Sequence, residues 1–248
     1  MVKTVISSKG QAAIFAIVGI VIVIIVILMI YLFNSRTPVT EVKKTVSFEN
    51  VVDTSRAFLK ECSEETLKEA IKKVSQQGGY YAFPVEKKVE TPFGPTVFIY
   101  DKKSMLITKD GLKKELQTYM KDYASRICDF NKLKDVQIKP GSYKSTILLS
   151  ASKVTLDQRW PIEVSRGEST TTIESTTVAY DSRLDTIHTF LMSLVESFED
   201  NMHPISINIP EGIDMRIIEQ ESYNVYVITD KYSLINQEPL RFLFAVRL

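Results

Sequence analysis

Apolar residues recur at helical spacing in three parts of the chain. The sequence predicts helices over about 46–74, 110–128 and 184–198. The glycine pair 78–79 follows the first of them and is a typical helix stop. A Ser-Glu-Glu sequence that begins at Ser63 fits the start of a separate helix, so the first stretch forms either one helix or two.

Much of the remaining chain has the apolar and polar patterning of β-strands. Strands are expected at 96–100, 104–107, 143–150, 153–156, 160–164, 169–180, 223–229 and 240–248. The last two are predicted to pair as antiparallel neighbours. Helices and strands mix without a regular βαβ alternation. The sequence therefore predicts an α+β fold with a mixed, mainly antiparallel sheet and about three to four helices.

A long apolar run near the N-terminus predicts a transmembrane helix ahead of this α+β domain. Residues 12–33 carry no charge and are apolar on every helical face. About 22 residues at about 1.5 Å each span about 33 Å, the thickness of a bilayer core. The lipid bilayer is thus an expected partner of residues 12–33. A buried core helix and a cleaved secretory signal are the alternatives, and the run is long for either.

The residues that lead into this run, Lys9 to Ala13 (KGQAA), resemble the type IV pilin-like (class III) signal peptides of archaeal surface proteins. The resemblance implies a cytoplasmic leader that is cut between Gly10 and Gln11, and an apolar helix that carries the rest of the chain outside. In this family the fifth mature position often holds a glutamate that pairs with a neighbouring subunit, whereas this chain has Phe15. That departure favours a membrane anchor over a filament subunit.

The order of segments along the whole chain resembles uncharacterised single-pass surface proteins of small-genome archaea. The shared features are the apolar N-terminus, a helix with Cys62, QGGY at 77–80, a second helix that ends in Cys128, and RFLFAV at 241–246. The resemblance implies a location in the cell membrane with the C-terminal domain outside. It implies no particular activity.

These features predict four segments. They are a leader over 1–10, with or without cleavage, a transmembrane helix over 11–33, a linker over 34–46 and an extracellular domain over 47–248. A turn near residue 140 is the expected internal boundary if the extracellular part forms two units rather than one.

The composition is that of a folded chain. The 248 residues are 44% hydrophobic and 25% charged, which excludes a disordered tail and a collagen-like fibre. The 31 basic and 30 acidic residues give a net charge of +1. The chain as a whole has no positive field to hold phosphates, so no nucleic-acid partner is expected.

Cys62 and Cys128 are the only cysteines, and both fall on predicted helices on the side of the membrane expected to be extracellular. A disulfide bond between them would close a loop of about 67 residues and stabilise the fold by about 4 kcal/mol. Two buried free thiols are the alternative. The two histidines, His188 and His203, are far from the cysteines and from each other, so no metal site and no cofactor are expected.

Aromatic residues are concentrated between positions 80 and 100. The candidates for a binding surface are Tyr80, Tyr81, Phe83 and Phe93, accompanied by Phe98 and Tyr100. They form either a stacking platform for a sugar or a partner protein, or part of the hydrophobic core. No nucleophile elbow, zinc-protease motif, phosphate-binding glycine loop or EF-hand loop occurs, so no catalytic residues are predicted.

The sequence therefore predicts a non-enzymatic, membrane-anchored cell-surface protein whose ectodomain contacts other envelope proteins or another cell. One rival hypothesis is a pilin-like subunit that polymerises with like subunits through residues 11–33. A second rival is an ectodomain enzyme or ligand-binding module, which requires a concave pocket with convergent polar groups.

Overall fold

The computed structural model describes Gly19 and residues 21–29, 47–134, 136–199 and 208–247. The chain divides into two compact units, residues 1–46 and residues 47–248. The processing-site candidates Gly10 and Gln11 and the expected linker 34–46 lie outside the described residues.

The expected transmembrane helix over 11–33 is the part of the predicted fold that the structure contradicts. In this segment only Gly19 and residues 21–29 are described, and they are helical. A helix that crosses a bilayer core needs about 20 apolar residues. Within the described part of the chain, no helix has the length and hydropathy that a membrane crossing requires.

The second unit confirms the expected α+β class with mainly antiparallel pairing. Its described residues form three α-helices, α1 (Phe48–Gln76), α2 (Lys109–Ile127) and α3 (Leu184–Glu199). They also form nine strands, β1 (Lys88–Thr91), β2 (Gly94–Asp101), β3 (Gln137–Pro140), β4 (Lys144–Leu149), β5 (Lys153–Arg166), β6 (Ser169–Asp181), β7 (Ile213–Glu219), β8 (Asn224–Ile235) and β9 (Glu238–Arg247). Of the pairings between these strands, only β2 with β9 is parallel.

Five strands form one sheet in the order β1-β2-β9-β8-β7. The antiparallel pairs β1–β2, β7–β8 and β8–β9 are hairpins, which need only short turns. β2 and β9 come from distant parts of the chain and lie in parallel, with Phe98 beside Ala245. Near this pairing the Thr96 hydroxyl donates to the Leu243 carbonyl oxygen at 2.7 Å. Because β9 has two strands on each side in this order, the C-terminal strand forms the centre of the sheet.

The second sheet is built around β5, which spans 14 residues. β3 and β4 both pair with one edge of β5, and β6 pairs with the other edge. Apolar residues at alternate positions of β5 are buried, namely Val154, Leu156, Trp160, Ile162 and Val164. α1 packs against β5 and β6, and α2 packs against β4. The other face of this sheet is exposed and mostly polar, with Leu148 as an exposed apolar residue.

α1 is one helix of 29 residues and not two. The Ser63 hydroxyl donates to the Leu59 carbonyl oxygen of the preceding turn at 2.6 Å, and Thr66 makes the same kind of bond to Cys62 at 2.7 Å. Ser63 therefore bonds back into a continuous helix instead of capping a new one. The helix ends at Gln76, just before the predicted glycine pair 78–79, whose φ angles of 66° and 96° favour glycine.

Two hydrophobic clusters stabilise the unit. The larger one draws on all three helices and both sheets. The smaller one surrounds the two cysteines and contains Leu59, Ala124, Trp160, Ile162, Val164 and Ile173. Cys62 in α1 and Cys128 at the end of α2 form a disulfide bond, with their Cα atoms 5.3 Å apart. The predicted cysteine pair is thus confirmed.

Candidate binding groove

The structure separates the four aromatic residues that the sequence singled out. Tyr80 is 8% exposed, and its hydroxyl accepts a hydrogen bond from Lys87 Nζ at 2.8 Å. Phe83 packs against the larger cluster, with the Lys88 ammonium 5.8 Å from its ring centre. Both side chains therefore hold the segment after α1 in place.

Tyr81 belongs to a packed group of three tyrosines. Its ring meets Tyr119 and Tyr123 edge-on, with centroids 5.3 Å and 6.0 Å away, and those two rings stack on each other at 4.5 Å. Burial and the neighbouring Asp122 carboxylate raise the pKa of Tyr81 to about 12. The ring contacts show that Tyr81 packs on α2.

Phe93 has a different environment from the other three aromatic residues. It is 53% exposed in the turn between β1 and β2, and it borders a groove of about 1000 Å³. A large exposed apolar side chain beside a concave surface is typical of a contact with a ligand or partner. This groove, called the sheet groove below, is the candidate functional site.

The outer face of the five-stranded sheet forms the floor of the sheet groove. Val227 of β8 lies opposite Leu243 of β9, and in the next row on the same face Thr229 lies opposite Arg241. Side chains two positions apart on a strand point to the same face, whereas their neighbours point into the core. The floor therefore consists of an apolar row beside a polar row.

Apolar side chains border this floor on both sides. Phe93 stands on the side of the β1–β2 turn. Ile209, which is 39% exposed, stands on the side of β7, just before that strand. Ile217 borders the groove at the edge of β7, but its side chain points to the opposite face of the sheet. The sheet groove therefore has exposed apolar walls around a partly polar floor.

Packed side chains cover the sheet face at one end of the sheet groove. The Tyr223 ring meets Phe98 edge-on at 5.7 Å, and its hydroxyl donates to the Glu90 carbonyl oxygen at 2.7 Å. The Arg247 guanidinium lies 4.6 Å from the centre of the Phe98 ring and forms an ion pair with Asp101 at 3.0 Å. The accessible part of the outer sheet face begins beyond these packed side chains.

The sheet groove carries more positive than negative charge. Arg216 and Arg241 line it and are exposed, and neither forms an ion pair with a residue that the structure describes. Asp214 also lines it, but its carboxylate pairs with Lys231 Nζ at 2.8 Å. Two guanidinium groups thus remain to bind an anionic group of a partner.

The lining suits binding better than catalysis. In the described part of the chain no cysteine, histidine or serine borders the sheet groove, and no three His, Cys, Asp or Glu side chains are placed to hold a metal ion. His188 is 2% exposed in the core, with Nε2 2.7 Å from the Ile107 carbonyl oxygen, so its role is packing. His203 lies outside the described residues. The residues present offer apolar contact, hydrogen bonds and positive charge.

Arg216, Val227, Thr229 and Arg241 were missed as site residues by the sequence reasoning. The available signal was the alternation of polar and apolar residues along the last three strands. That signal gives the face of each side chain within a strand. The order β9-β8-β7, which brings these side chains together, depends on the pairing of separate strands.

Comparison of the chain with known protein families, with curated proteins and with solved structures gave no match. The sheet groove is therefore interpreted from its own geometry.

Proposed function

We propose that this chain is a non-enzymatic extracytoplasmic protein that binds a partner protein of the cell envelope or cell surface through the sheet groove. The observation that carries the proposal is the combination of exposed apolar walls, Phe93 and Ile209, with two exposed arginines that have no described acidic partner. Apolar and aromatic side chains together with arginine are enriched at protein interfaces.

The disulfide bond supports a location outside the cytoplasm. Disulfide bonds form and persist in oxidising compartments and are rare in the cytosol. Cys62 and Cys128 are 7% and 1% exposed, so the bond lies inside the fold. This is the environment expected of a structural crosslink in a protein outside the cytoplasm.

The exposure of the walls favours a protein partner over a small solute. A site for a small molecule buries most of its ligand in an enclosed cavity. Phe93 and Ile209 instead keep 53% and 39% of their surface exposed, and they border the groove on two sides. A partner with an extended apolar surface can cover these side chains and gain hydrophobic stabilisation.

A photoreactive phenylalanine analogue at position 93 is expected to crosslink the native partner. The full-length variant is expressed in its own cells and irradiated, and adducts are identified by mass spectrometry. The matched control carries the same analogue at Leu148, which is 57% exposed on the other sheet. A defined adduct from position 93 that is absent from position 148 supports the proposal. Equal labelling at both positions, or none at position 93, contradicts it.

Charge reversal of the two groove arginines is expected to remove this adduct. In the background of the crosslinker at position 93, Arg216→Glu with Arg241→Glu replaces both positive charges by negative ones. An acidic partner is then repelled, and we expect the adduct yield to fall at least about tenfold, equivalent to about 1.4 kcal/mol.

The matched control for charge reversal is Lys144→Glu with Arg159→Glu. These residues lie opposite each other on β4 and β5, are exposed, and give the same change in net charge outside the sheet groove. The control is expected to leave the adduct unchanged. An equal loss in both double variants would mean that net charge, and not the sheet groove, governs the interaction.

A further inference from the structure

We propose that the partner enters the sheet groove as an extended acidic segment that pairs with the open edge of β7 and becomes a sixth strand of the sheet. This inference rests on the proposed function, because it names the mode of binding and the chemistry of the partner at the same site. Four observations carry it: the direction of the β7 backbone groups, the regularity of this edge, the exposed Ile217 side chain, and the two arginines that have no acidic partner among the described residues.

The hydrogen bonds at the two ends of the β7–β8 hairpin fix which backbone groups face β8. The Gln220 N–H donates to the Tyr223 carbonyl oxygen at 2.9 Å, and the Lys231 N–H donates to the Gly212 carbonyl oxygen at 2.9 Å. In an antiparallel pair the residues alternate between those that bond the partner strand and those that point away from it. The even-numbered residues from 212 to 220 therefore bond to β8.

The odd-numbered residues of β7 direct their backbone groups to the other side. Met215 and Ile217 each present an N–H and a C=O at the edge of the sheet, and Glu219 presents its N–H, while its carbonyl oxygen accepts from Gln220 Nε2 at 3.0 Å. No backbone hydrogen bond joins these groups to any residue in the described ranges. Such a row of donors and acceptors is the template to which an extended peptide adds in strand addition.

β7 is better suited to strand addition than the edges formed by β1, β3 and β6. Its seven residues pair with β8 without a register shift and include no proline. β1 has four residues, and its Glu90 carbonyl oxygen already accepts a bond from Tyr223. β3 ends in Pro140. β6 is long, but none of its large apolar side chains is exposed.

The charges beside β7 select the sequence of the added strand. Arg216 points to the face of the sheet groove, and a side chain directly across from it on a sixth strand would lie about 5 Å away. Arg241 is two strands further in, about 10 Å from β7, and adds to the positive potential. Ile217 points to the opposite face. A strand that alternates acidic and apolar residues therefore complements the edge.

Single-residue hydrogen exchange on the full-length protein tests the inference directly. The probe is a synthetic heptapeptide that alternates glutamate and valine, and its lysine counterpart is the control probe. With saturating acidic peptide, exchange of the Met215, Ile217 and Glu219 amides is expected to slow at least about tenfold. The even-numbered amides of β7 are already bonded to β8 and are expected to change little.

A proline at position 217 removes one of the outward donors. Because this N–H points away from β8, Ile217→Pro leaves the β7–β8 hydrogen bonds in place, and proline is tolerated at such edge positions. We expect at least tenfold weaker binding of the acidic peptide. The matched variant Ile217→Thr keeps both the N–H and a β-branched side chain, and it is expected to bind within about threefold of the wild type.

The possible outcomes separate this inference from the proposed function. Alternating protection of the β7 amides in the wild type, together with the loss of affinity in Ile217→Pro, supports strand addition. The protection pattern is measured on the wild type, so it tests strand addition even if Ile217→Pro fails to fold. Peptide binding without alternating protection overturns strand addition and leaves binding in the groove. Crosslinking from position 93 without any binding of the acidic peptide overturns the inference that the partner is an acidic segment, and it leaves the proposed function in place. Protection of the same amides without peptide, rising with protein concentration, identifies a second copy as the occupant and overturns the inference.

Discussion

Replacement of both Cys62 and Cys128 by alanine is expected to lower the free energy of unfolding by about 4 kcal/mol. The bond links residues 66 positions apart, and it limits the conformations of the unfolded chain. It also lies inside the smaller hydrophobic cluster, where α1 and the end of α2 meet β5 and β6. A loss of this size is a large share of the stability of an ordinary domain.

Denaturant unfolding of the full-length chain measures this effect, and the wild type supplies its own control. The reduced wild-type protein is expected to unfold near the same denaturant concentration as the double variant. The double variant is expected to be insensitive to the reductant. An oxidised wild type that unfolds together with the double variant would show that the two cysteines are not bonded in the native protein.

The sequence predicted best those elements whose pattern is local. The expected pairing of 223–229 with 240–248 is confirmed, because β8 and β9 are joined by a short turn and alternate regularly, with Val227 opposite Leu243. The disulfide partners were the only two cysteines, so their pairing offered a single choice. The three helices of the second unit follow from apolar residues that recur every three to four positions.

Contacts between distant segments could not be predicted in the same way. The parallel pairing of β2 with β9 brings Phe98 beside Ala245, and nothing in either strand encodes its partner. β5 was predicted as two strands, whereas Pro161 lies within a register shift in one long strand. A proline is tolerated at such an irregularity, so its presence does not end the strand.

The candidate site also depends on long-range pairing. The concentration of aromatic residues at 80–100 suggested one binding surface, but composition does not determine which face each ring occupies. Tyr80 is buried, Tyr81 packs on α2, and Phe93 alone among the four borders the sheet groove. The arginines of the sheet groove come from β7 and β9, and β8 has to lie between them before they share a surface.

Substitution of Asp230 by alanine is the second change expected to have a large effect. Asp230 is 0% exposed in β8, and the sequence did not single it out because its charged partner, Arg183, is 47 positions away in the chain. Its Oδ1 accepts from Arg183 Nη1 at 3.1 Å and from the Tyr232 N–H at 3.2 Å, and its Oδ2 accepts from Ser233 Oγ at 2.6 Å. Ser233 Oγ in turn accepts from the Arg183 N–H at 2.8 Å, immediately before α3.

Removal of this carboxylate leaves the Arg183 guanidinium, whose side chain is 19% exposed, without its acidic partner. A buried ion pair that loses one member is strongly destabilised, and we expect Asp230→Ala to lower the free energy of unfolding by about 3–5 kcal/mol. The matched control is Asp214→Ala. Asp214 forms an ion pair with Lys231 at 2.8 Å, but its side chain is 64% exposed, so the expected loss is below about 1 kcal/mol.

Denaturant unfolding of both variants beside the wild type checks the comparison, and a double substitution identifies the cause. If the unpaired guanidinium is responsible, Arg183→Met in the Asp230→Ala background should recover part of the lost stability, because it removes the unpaired charge and restores apolar contact. Equal unfolding midpoints for Asp230→Ala and Asp214→Ala would show that the attachment of α3 to β8 does not depend on this ion pair. Recovery by Arg183→Met would instead identify Asp230 as the residue that stabilises the partly buried Arg183 cation where α3 begins.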